Sequence, residues 1–273
     1  MKITTLVENT SVSPEYGSMH GLSFYIETEK HRLLFDLGDG DLFLRNAEKL
    51  GVDIAAVDTV VISHGHNDHG GALRLFLDKN GMAKVYVRES AFDPYYVKVL
   101  GFQKYIGLDA ALKEHPQVVL TGEECVIDDE LRLFSGVTER ECWSKANDVL
   151  YAKTERGYAR DAFAHEQNLV ISENGKTALL AGCAHNGIVN ILAKAERLLG
   201  RQPDVVIAGM HLYNPVSIFG GDDRLTRRVG ERLRETDARF YTCHCTGLRA
   251  YGILQEILGD RIGYAATGSV IEL

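Results

Sequence analysis

The chain has 273 residues, which is enough for one large domain or two small ones. Apolar residues make up 45% and charged residues 25%, as in globular proteins, and the formal net charge of −8 argues against a nucleic-acid backbone as the main partner. Five cysteines, an odd number, do not suggest a disulfide framework and favour reduced thiols. No apolar run approaches the ~20 residues of a membrane helix, and residues 1–7 have the pattern of a first strand rather than of a signal peptide. We therefore expect a cytoplasmic protein without a membrane partner.

The two halves of the chain predict similar series of elements. The first half predicts, in order, a strand, a hairpin, a helix, a strand and a helix, at residues 2–7, 22–28 with 32–36, 42–50, 58–63 and about 70–78. The second half predicts a hairpin, a helix, a strand, a helix, a strand, a helix and a last strand, at residues 168–172 with 176–181, 187–199, 204–208, 222–236, 239–242, about 247–258 and 263–273. Two such units predict a pseudo-symmetric sandwich with two sheets inside and helices outside.

A segment of mixed character lies between the two halves. Three strands are predicted there, at residues 84–88, 118–120 and 131–134. A tyrosine-rich stretch from 94 to 113 is predicted to be helical, and residues 137–166 are polar and irregular. A loop that long inside a domain is usually functional or disordered. We predict one domain over residues 1–273, in which an inserted segment at about 85–165 forms a flap beside the site, with plain disorder of its last part as the alternative.

Side chains that can bind metals follow the predicted strands, at the points where the chain leaves the sheet. His64, His66, Asp68 and His69 come directly after the strand at 58–63. Later strands are followed in the same way by His185, His211 and His244. Imidazole and carboxylate groups bind zinc, iron or manganese, so we expect a metal site at one rim of the sandwich. A solvated, histidine-rich loop is the alternative interpretation of the first cluster.

The remaining histidines and the other motifs add little to this site. His31 and His115 are interpreted as exposed turn residues, while His20 precedes the second predicted strand and could face the site. In the segment 243–245, Cys-His-Cys, the residues are too close together in sequence for a zinc-finger ligand set. The sequence contains no phosphate-binding Gly-Lys-Ser/Thr loop and no Gly-x-Ser-x-Gly elbow.

The pattern at residues 64–69, His-x-His-x-Asp-His, resembles the signature of the metallo-β-lactamase superfamily. The resemblance extends over nearly the whole chain, through Asp36 after the first hairpin and through His185 and His244 after later strands. It implies an α/β fold, a four-layer αββα sandwich of two mixed sheets. The stretches 20–23, 182–188 and 244–247 resemble one branch of this superfamily. That branch includes dihydropterin–ribofuranosylaminobenzene phosphate synthases of methanopterin biosynthesis.

The resemblance also implies a site for one or two divalent metal ions, with zinc as the expected ion and manganese or iron as alternatives. Its expected ligands are His64, His66 and His185 for the first ion and Asp68, His69 and His244 for the second. Many members of the superfamily place a bridging aspartate where this chain has Cys183. His165 and Cys183 are therefore the alternatives to His185. Asp36 is expected to orient ligands through hydrogen bonds.

These residues predict a metal-dependent hydrolase. A divalent metal lowers the pKa of bound water from ~15.7 to roughly 7, which supplies hydroxide at neutral pH. Asp68 is the candidate to bind metal and to act as a base. His211 is the candidate to bind substrate or to protonate a leaving group, with a supporting role behind the ligands as the alternative. The expected partner is a small anionic substrate, a phosphate ester or a similar metabolite.

Two other functions stay open at this point. The fold could carry synthase chemistry of pterin metabolism of the methanopterin type, as in the branch that the chain resembles. Cys183, Cys243 and Cys245 could instead make the protein a non-catalytic metal-binding or redox-sensing module. The sequence defines neither the substrate nor the oligomeric state, for which a homo-oligomer is one option.

Overall fold

The structure is a computed structural model that describes residues 1–213 and 221–273. The strands in these residues are β1 (Lys2–Val7), β2 (Ser23–Glu27), β3 (Arg32–Phe35), β4 (Thr59–Ile62), β5 (Lys84–Arg88), β6 (Tyr95–Val99), β7 (Phe102–Tyr105), β8 (Val118–Thr121), β9 (Glu124–Val126), β10 (Leu131–Phe134), β11 (Leu150–Thr154), β12 (Gly157–Arg160), β13 (Asn168–Glu173), β14 (Lys176–Ala181), β15 (Val205–Ala208), β16 (Arg239–Thr242), β17 (Ile262–Tyr264) and β18 (Val270–Glu272). The α-helices are α1 (Leu42–Lys49), α2 (Asn67–Gly70), α3 (Leu73–Leu77), α4 (Ile188–Leu199), α5 (Asp223–Arg234) and α6 (Leu248–Leu258). None of the described helices is both long and apolar enough to cross a membrane.

Two seven-stranded mixed sheets form the centre of the fold. The first has the order β18-β1-β2-β3-β4-β5-β8 and the second the order β17-β16-β15-β14-β13-β10-β9. In each sheet an antiparallel hairpin, β2–β3 or β13–β14, is followed by three further strands that run parallel to its second strand. The predicted repeat and the predicted mixed-sheet fold class are therefore confirmed.

The inner faces of the two sheets pack on each other. Phe35 and Val61 of the first sheet belong to the same buried cluster as Leu180 and Ile207 of the second, and all four side chains are fully buried. Each large apolar side chain that is buried in this way contributes about 1.5–3 kcal/mol. This layer holds the two sheets face to face and brings their strand ends to one rim.

Helices cover the outer faces. Val60, whose side chain alternates with that of Val61 along β4, clusters with Phe76 of α3 outside the first sheet. Val206 of β15 clusters with Ile191 of α4 outside the second. A helix layer, two sheets and a second helix layer make up the four-layer sandwich.

Two expectations for the middle of the chain are wrong. The stretch 94–113, predicted to be helical, holds β6 and β7, and residues 137–166, predicted to be irregular, hold β11 and β12. These strands form a third sheet of order β12-β11-β6-β7. Tyrosine and valine favour extended backbone, and Tyr96 pairs across the strands with Tyr105 and with Tyr151. Such pairs join distant segments, so the local sequence does not show them; a flap role for this segment stays a prediction.

The interpretation of His31 as an exposed turn residue is also wrong. Its side chain is 15% exposed, and its Nδ1 lies 2.9 Å from Asp58 Oδ1 while its Nε2 lies 2.6 Å from Asp128 Oδ2. Asp58 precedes β4 of the first sheet and Asp128 precedes β10 of the second. His31 therefore ties the two sheets together through its two carboxylate partners.

Candidate metal centre

The candidate site is built where strands of both sheets end. The first sheet contributes the loop after β4, in which Gly65 is required because a Cβ there would lie 2.5 Å from the Ala91 carbonyl oxygen. This loop leads straight into α2, which carries Asp68 and His69 in its single turn. The second sheet contributes the chain after β14 and after β16. The strand ends of the two sheets meet at one rim, and the predicted ligands converge there.

Three imidazoles form a first donor set. His64 Nε2 lies 3.1 Å from His66 Nδ1 and 3.3 Å from His185 Nε2. Ligands at ~2.0–2.1 Å from a tetrahedral zinc ion lie about 3.3–3.4 Å from one another. All three side chains are buried. The distances from His64 Nε2 to the other two nitrogen atoms therefore match the spacing of ligands on one divalent ion.

A carboxylate and two imidazoles form a second donor set. Asp68 Oδ2 lies 3.2 Å from His244 Nε2 and 3.8 Å from His69 Nε2, and the two imidazole nitrogens are 3.3 Å apart. The rings of His64 and His69 have centroids 4.1 Å apart, so the two sets are neighbours. The residues fit two adjacent ions.

The outward nitrogens of four imidazoles are held by polar side chains. The four contacts are His64 Nδ1 to Ser63 Oγ at 2.9 Å, His69 Nδ1 to Asp36 Oδ2 at 2.6 Å, His185 Nδ1 to Asn147 Oδ1 at 3.0 Å and His244 Nδ1 to Asn9 Oδ1 at 2.8 Å. Each ring can donate its Nδ1–H to the oxygen, which leaves the lone pair on Nε2 directed at the donor set. This is the tautomer that a metal ligand needs.

Burial and mutual repulsion keep the first set neutral. Burial, and then the neighbouring imidazoles, hold the pKa of His64 and of His185 well below the ordinary value. Burial, followed by repulsion from His165, lowers the pKa of His66 to about 3. Neutral imidazole is the form that binds metal ions, so the set is ready to bind at neutral pH.

The second set combines an ionised carboxylate with an imidazole that is protonated at neutral pH. Burial by itself would raise the pKa of Asp68, but the imidazoles of His69, His20 and His244 outweigh it and hold that pKa well below the usual range. Burial would likewise lower the pKa of His69, but Asp36 and Asp68 raise it to about 9. The carboxylates of Asp36 and Asp68 thus stabilise positive charge at His69, where a divalent ion would take the place of the Nε2 proton.

His165 does not join either donor set. Its Nδ1 accepts a hydrogen bond from the Gly65 backbone N–H at 2.9 Å, and its Nε2 lies 3.0 Å from Asp161 Oδ2. Its ring sits behind His66, with centroids 5.3 Å apart. His165 therefore supports the loop that carries His64 and His66, and the structure brings His185, not His165, to the first set.

His211 lies beside the first set, where its ring is close to that of His185. The residue is 9% exposed, its ring centroid is 4.2 Å from that of His185, and neither ring nitrogen has a hydrogen-bond partner among the described residues. Its backbone has a φ of 45°, in the left-handed region that few non-glycine residues adopt. A buried ring with two unpartnered nitrogens is available to a ligand.

Sequence reasoning undervalued His20 and missed several supporting residues. His20 Nε2 lies 3.1 Å from Asp68 Oδ2, and the side chain is 54% exposed, at the solvent side of the second set. Asn9 follows β1 as the histidines follow their strands, so the same strand-end rule could have found it. Asn147 and Asp161 come from the segment predicted to be irregular, where no local pattern marks them.

Comparison with known proteins agrees with this fold. The sequence profile of the metallo-beta-lactamase superfamily matches residues 16–140. An uncharacterized protein of Methanocaldococcus jannaschii is 27% identical, over 98% of this chain and 99% of its own. A 7,8-dihydropterin-6-methyl-4-(beta-D-ribofuranosyl)-aminobenzene-5'-phosphate synthase of the same organism is 26% identical, over 100% of this chain and 96% of its own.

A solved structure covers the whole chain as well. The crystal structure of a metal-dependent hydrolase of the beta-lactamase superfamily superposes with a TM-score of 0.81 at 26% identity, over 100% of this chain and 99% of that one. The resemblance first indicated by residues 64–69 thus extends to the fold of the whole chain. The chain thus has the metallo-β-lactamase fold and is similar to proteins of the metallo-beta-lactamase superfamily, in sequence over residues 16–140 and in structure over its whole length.

Proposed function

We propose that this protein is a metal-dependent hydrolase that acts on a phosphate ester or another small anionic metabolite. The observation that carries the proposal is the convergence of two donor sets, with neighbouring donor atoms 3.1–3.3 Å apart in the first and 3.2–3.8 Å apart in the second. The similar solved protein is itself described as a metal-dependent hydrolase, which supports the same reaction class.

The chain's own residues would hold the metal and surround the substrate. Bound divalent ions would lower the pKa of a water molecule and polarise a phosphoryl or acyl oxygen of the substrate. Asp68, ionised and acceptor-only, presents Oδ2 to both His244 and His20. His211, with both ring nitrogens free of partners in the described residues, is placed to donate a hydrogen bond to a substrate oxygen next to the first set. His20 connects the second set to solvent and can pass a proton outward.

One relative favours a second candidate function. The pterin-related synthase of M. jannaschii matches the full length of this chain at 26% identity. The compound in its name carries a 5'-phosphate, so recognition of a small anion would serve both reactions. The two candidates differ in the bond that is formed or broken, and they can be separated by their products.

The test is metal analysis together with a substrate panel. Protein purified without added metal is analysed for bound ions, then stripped and reloaded with zinc or manganese, and assayed on phosphodiesters, phosphomonoesters and lactones. We expect close to two ions per chain and turnover that depends on them. His64→Asn should lower kcat/KM at least about a hundredfold, since even residues behind metal ligands cost 10–100-fold when changed. His115→Asn, at a partly exposed histidine before β8, is the matched control.

Two results would decide against the hydrolase. Protein that binds no metal and gains no turnover with zinc or manganese contradicts it. Formation of a joined product from a dihydropterin and an aminobenzene ribofuranosyl phosphate, without hydrolysis of the panel, would favour the synthase.

A further inference from the structure

The strand end after β14 is pressed against the loop of the first donor set. A Cβ on Gly182 would overlap Ser63 Oγ and would lie 3.2 Å from His64 Nδ1. Only glycine allows this approach, and it carries the next residue, Cys183, into the seam between the two sheets. The close contact therefore brings the Cys183 thiol to the point where the two donor sets meet.

The Cys183 sulfur is close to both donor sets. Its Sγ lies 3.1 Å from His69 Nε2. It lies within 4.8 Å of the ligand atoms of His64 and His185, and also within 4.8 Å of those of His69 and His244. Sulfur and nitrogen atoms on one tetrahedral zinc ion are about 3.6 Å apart, given ~2.3 Å to sulfur and ~2.0–2.1 Å to nitrogen. Among the described residues, Cys183 is the one that groups with an imidazole pair from each set.

We propose that Cys183 binds as a thiolate shared between the two metal ions. This inference rests on the proposed metal site. A thiolate supplies one negative charge, as a carboxylate does, so two dications can share it at the same net charge. On binding, the S–H bond breaks, metal–sulfur bonds form and the proton passes to solvent. A soft sulfur donor favours zinc or iron(II) over manganese or magnesium.

A second buried thiol provides an internal comparison. Cys245 Sγ accepts a hydrogen bond from the His211 backbone N–H at 3.2 Å and is 3.6 Å from the Cys183 carbonyl oxygen, to which it can donate. It lies near Cys183 and His211 but does not group with His64 or His69. Cys245 is therefore expected to lie behind the site and to bind neither ion.

The experiment is a cobalt(II) titration of the metal-free protein, followed by absorption spectroscopy. Sulfur bound to cobalt gives an intense near-ultraviolet charge-transfer band that imidazole and carboxylate do not give. A shared thiolate makes this band grow through both the first and the second equivalent of cobalt. We expect Cys183→Ser to lose the band, Cys245→Ser and Cys125→Ser to keep it, and Cys183→Asp to bind two equivalents without it.

Each other result overturns the inference in a distinct way. A band that stops growing after one equivalent shows a ligand to a single ion, and a band that survives in Cys183→Ser shows a different sulfur ligand. If the unaltered protein binds two equivalents of cobalt without the band, the thiolate proposal is refuted but the proposed hydrolase is not. No cobalt binding at all removes both. The titration of the unaltered protein decides the main point even if the Cys183 variants fold poorly.

Discussion

Asp36 is the residue whose replacement most directly tests how the donor sets are held. It is fully buried, and its carboxylate accepts hydrogen bonds from the Ser63 N–H at 2.7 Å, from the Ser63 hydroxyl at 2.7 Å and from His69 Nδ1–H at 2.6 Å. The same Ser63 hydroxyl oxygen lies 2.9 Å from His64 Nδ1. One carboxylate thus orients an imidazole of each donor set. Asp36→Asn is the chosen change, because asparagine tolerates the left-handed φ of 61° at this position.

The magnitude follows from counting donors. Three donors converge on Asp36, and an asparagine side chain offers one acceptor oxygen, so at least one buried donor must face the amide N–H₂. An unsatisfied buried donor costs about 1–3 kcal/mol. Loss of a residue that orients a metal ligand typically weakens metal binding 10–100-fold, or about 1.4–2.8 kcal/mol. The two estimates agree, and we expect metal affinity to fall by that factor.

The assay is competition with a chelator of known zinc affinity, with urea unfolding of the metal-free protein as the check on folding. Asp41→Asn is the matched control, because Asp41 is 62% exposed and should change either quantity by less than about 0.5 kcal/mol. If folded Asp36→Asn protein binds both ions as tightly as the unaltered protein, Asp36 does not orient His64 or His69 through these hydrogen bonds.

Two further changes test the packing around the site and the link between the sheets. In Gly182→Ala the added methyl group should clash with Ser63, which should lower the free energy of unfolding by about 1–3 kcal/mol and reduce bound metal. Gly252→Ala in α6 is the control, because there is open space around Gly252, and it should be neutral or stabilising in urea unfolding. Equal effects of the two changes would contradict the close approach at Gly182. Burial alone would lower the pKa of His31, but its two carboxylate partners raise that pKa above the ordinary value. The contribution of protonated His31 to the free energy of unfolding is therefore complete below the unfolded-state pKa and is lost as pH rises through the folded-state pKa. The stability difference between the unaltered protein and His31→Asn, up to about 1 kcal/mol by urea unfolding near pH 6, should shrink by about pH 9; a constant difference would refute the ion-pair account.

Much of the architecture could be predicted from the sequence because it depends on local patterns. The apolar run in β4 and the matching run in β15 are short, continuous and bounded by polar turns, which is typical of parallel strands covered on both faces. The third sheet could not be predicted from local patterns. Its strands pair across about 50 residues of sequence, as Tyr96 pairs with Tyr151, and its polar and aromatic composition is compatible with helix, strand or loop.

The site likewise has residues that the sequence predicts and residues that only the tertiary structure places. His64, His66, Asp68 and His69 lie within six residues, so the sequence alone determined that a cluster of side chains able to bind metal follows a buried strand. Which distant residue completes each donor set was decided only by the tertiary structure. His165 and His185 are both histidines near a strand, and only the packing of the second sheet against the first brings His185 Nε2 to 3.3 Å from His64 Nε2. The position of Cys183 depends on the same packing, because a strand end can approach the His64 loop only where Gly182 leaves room.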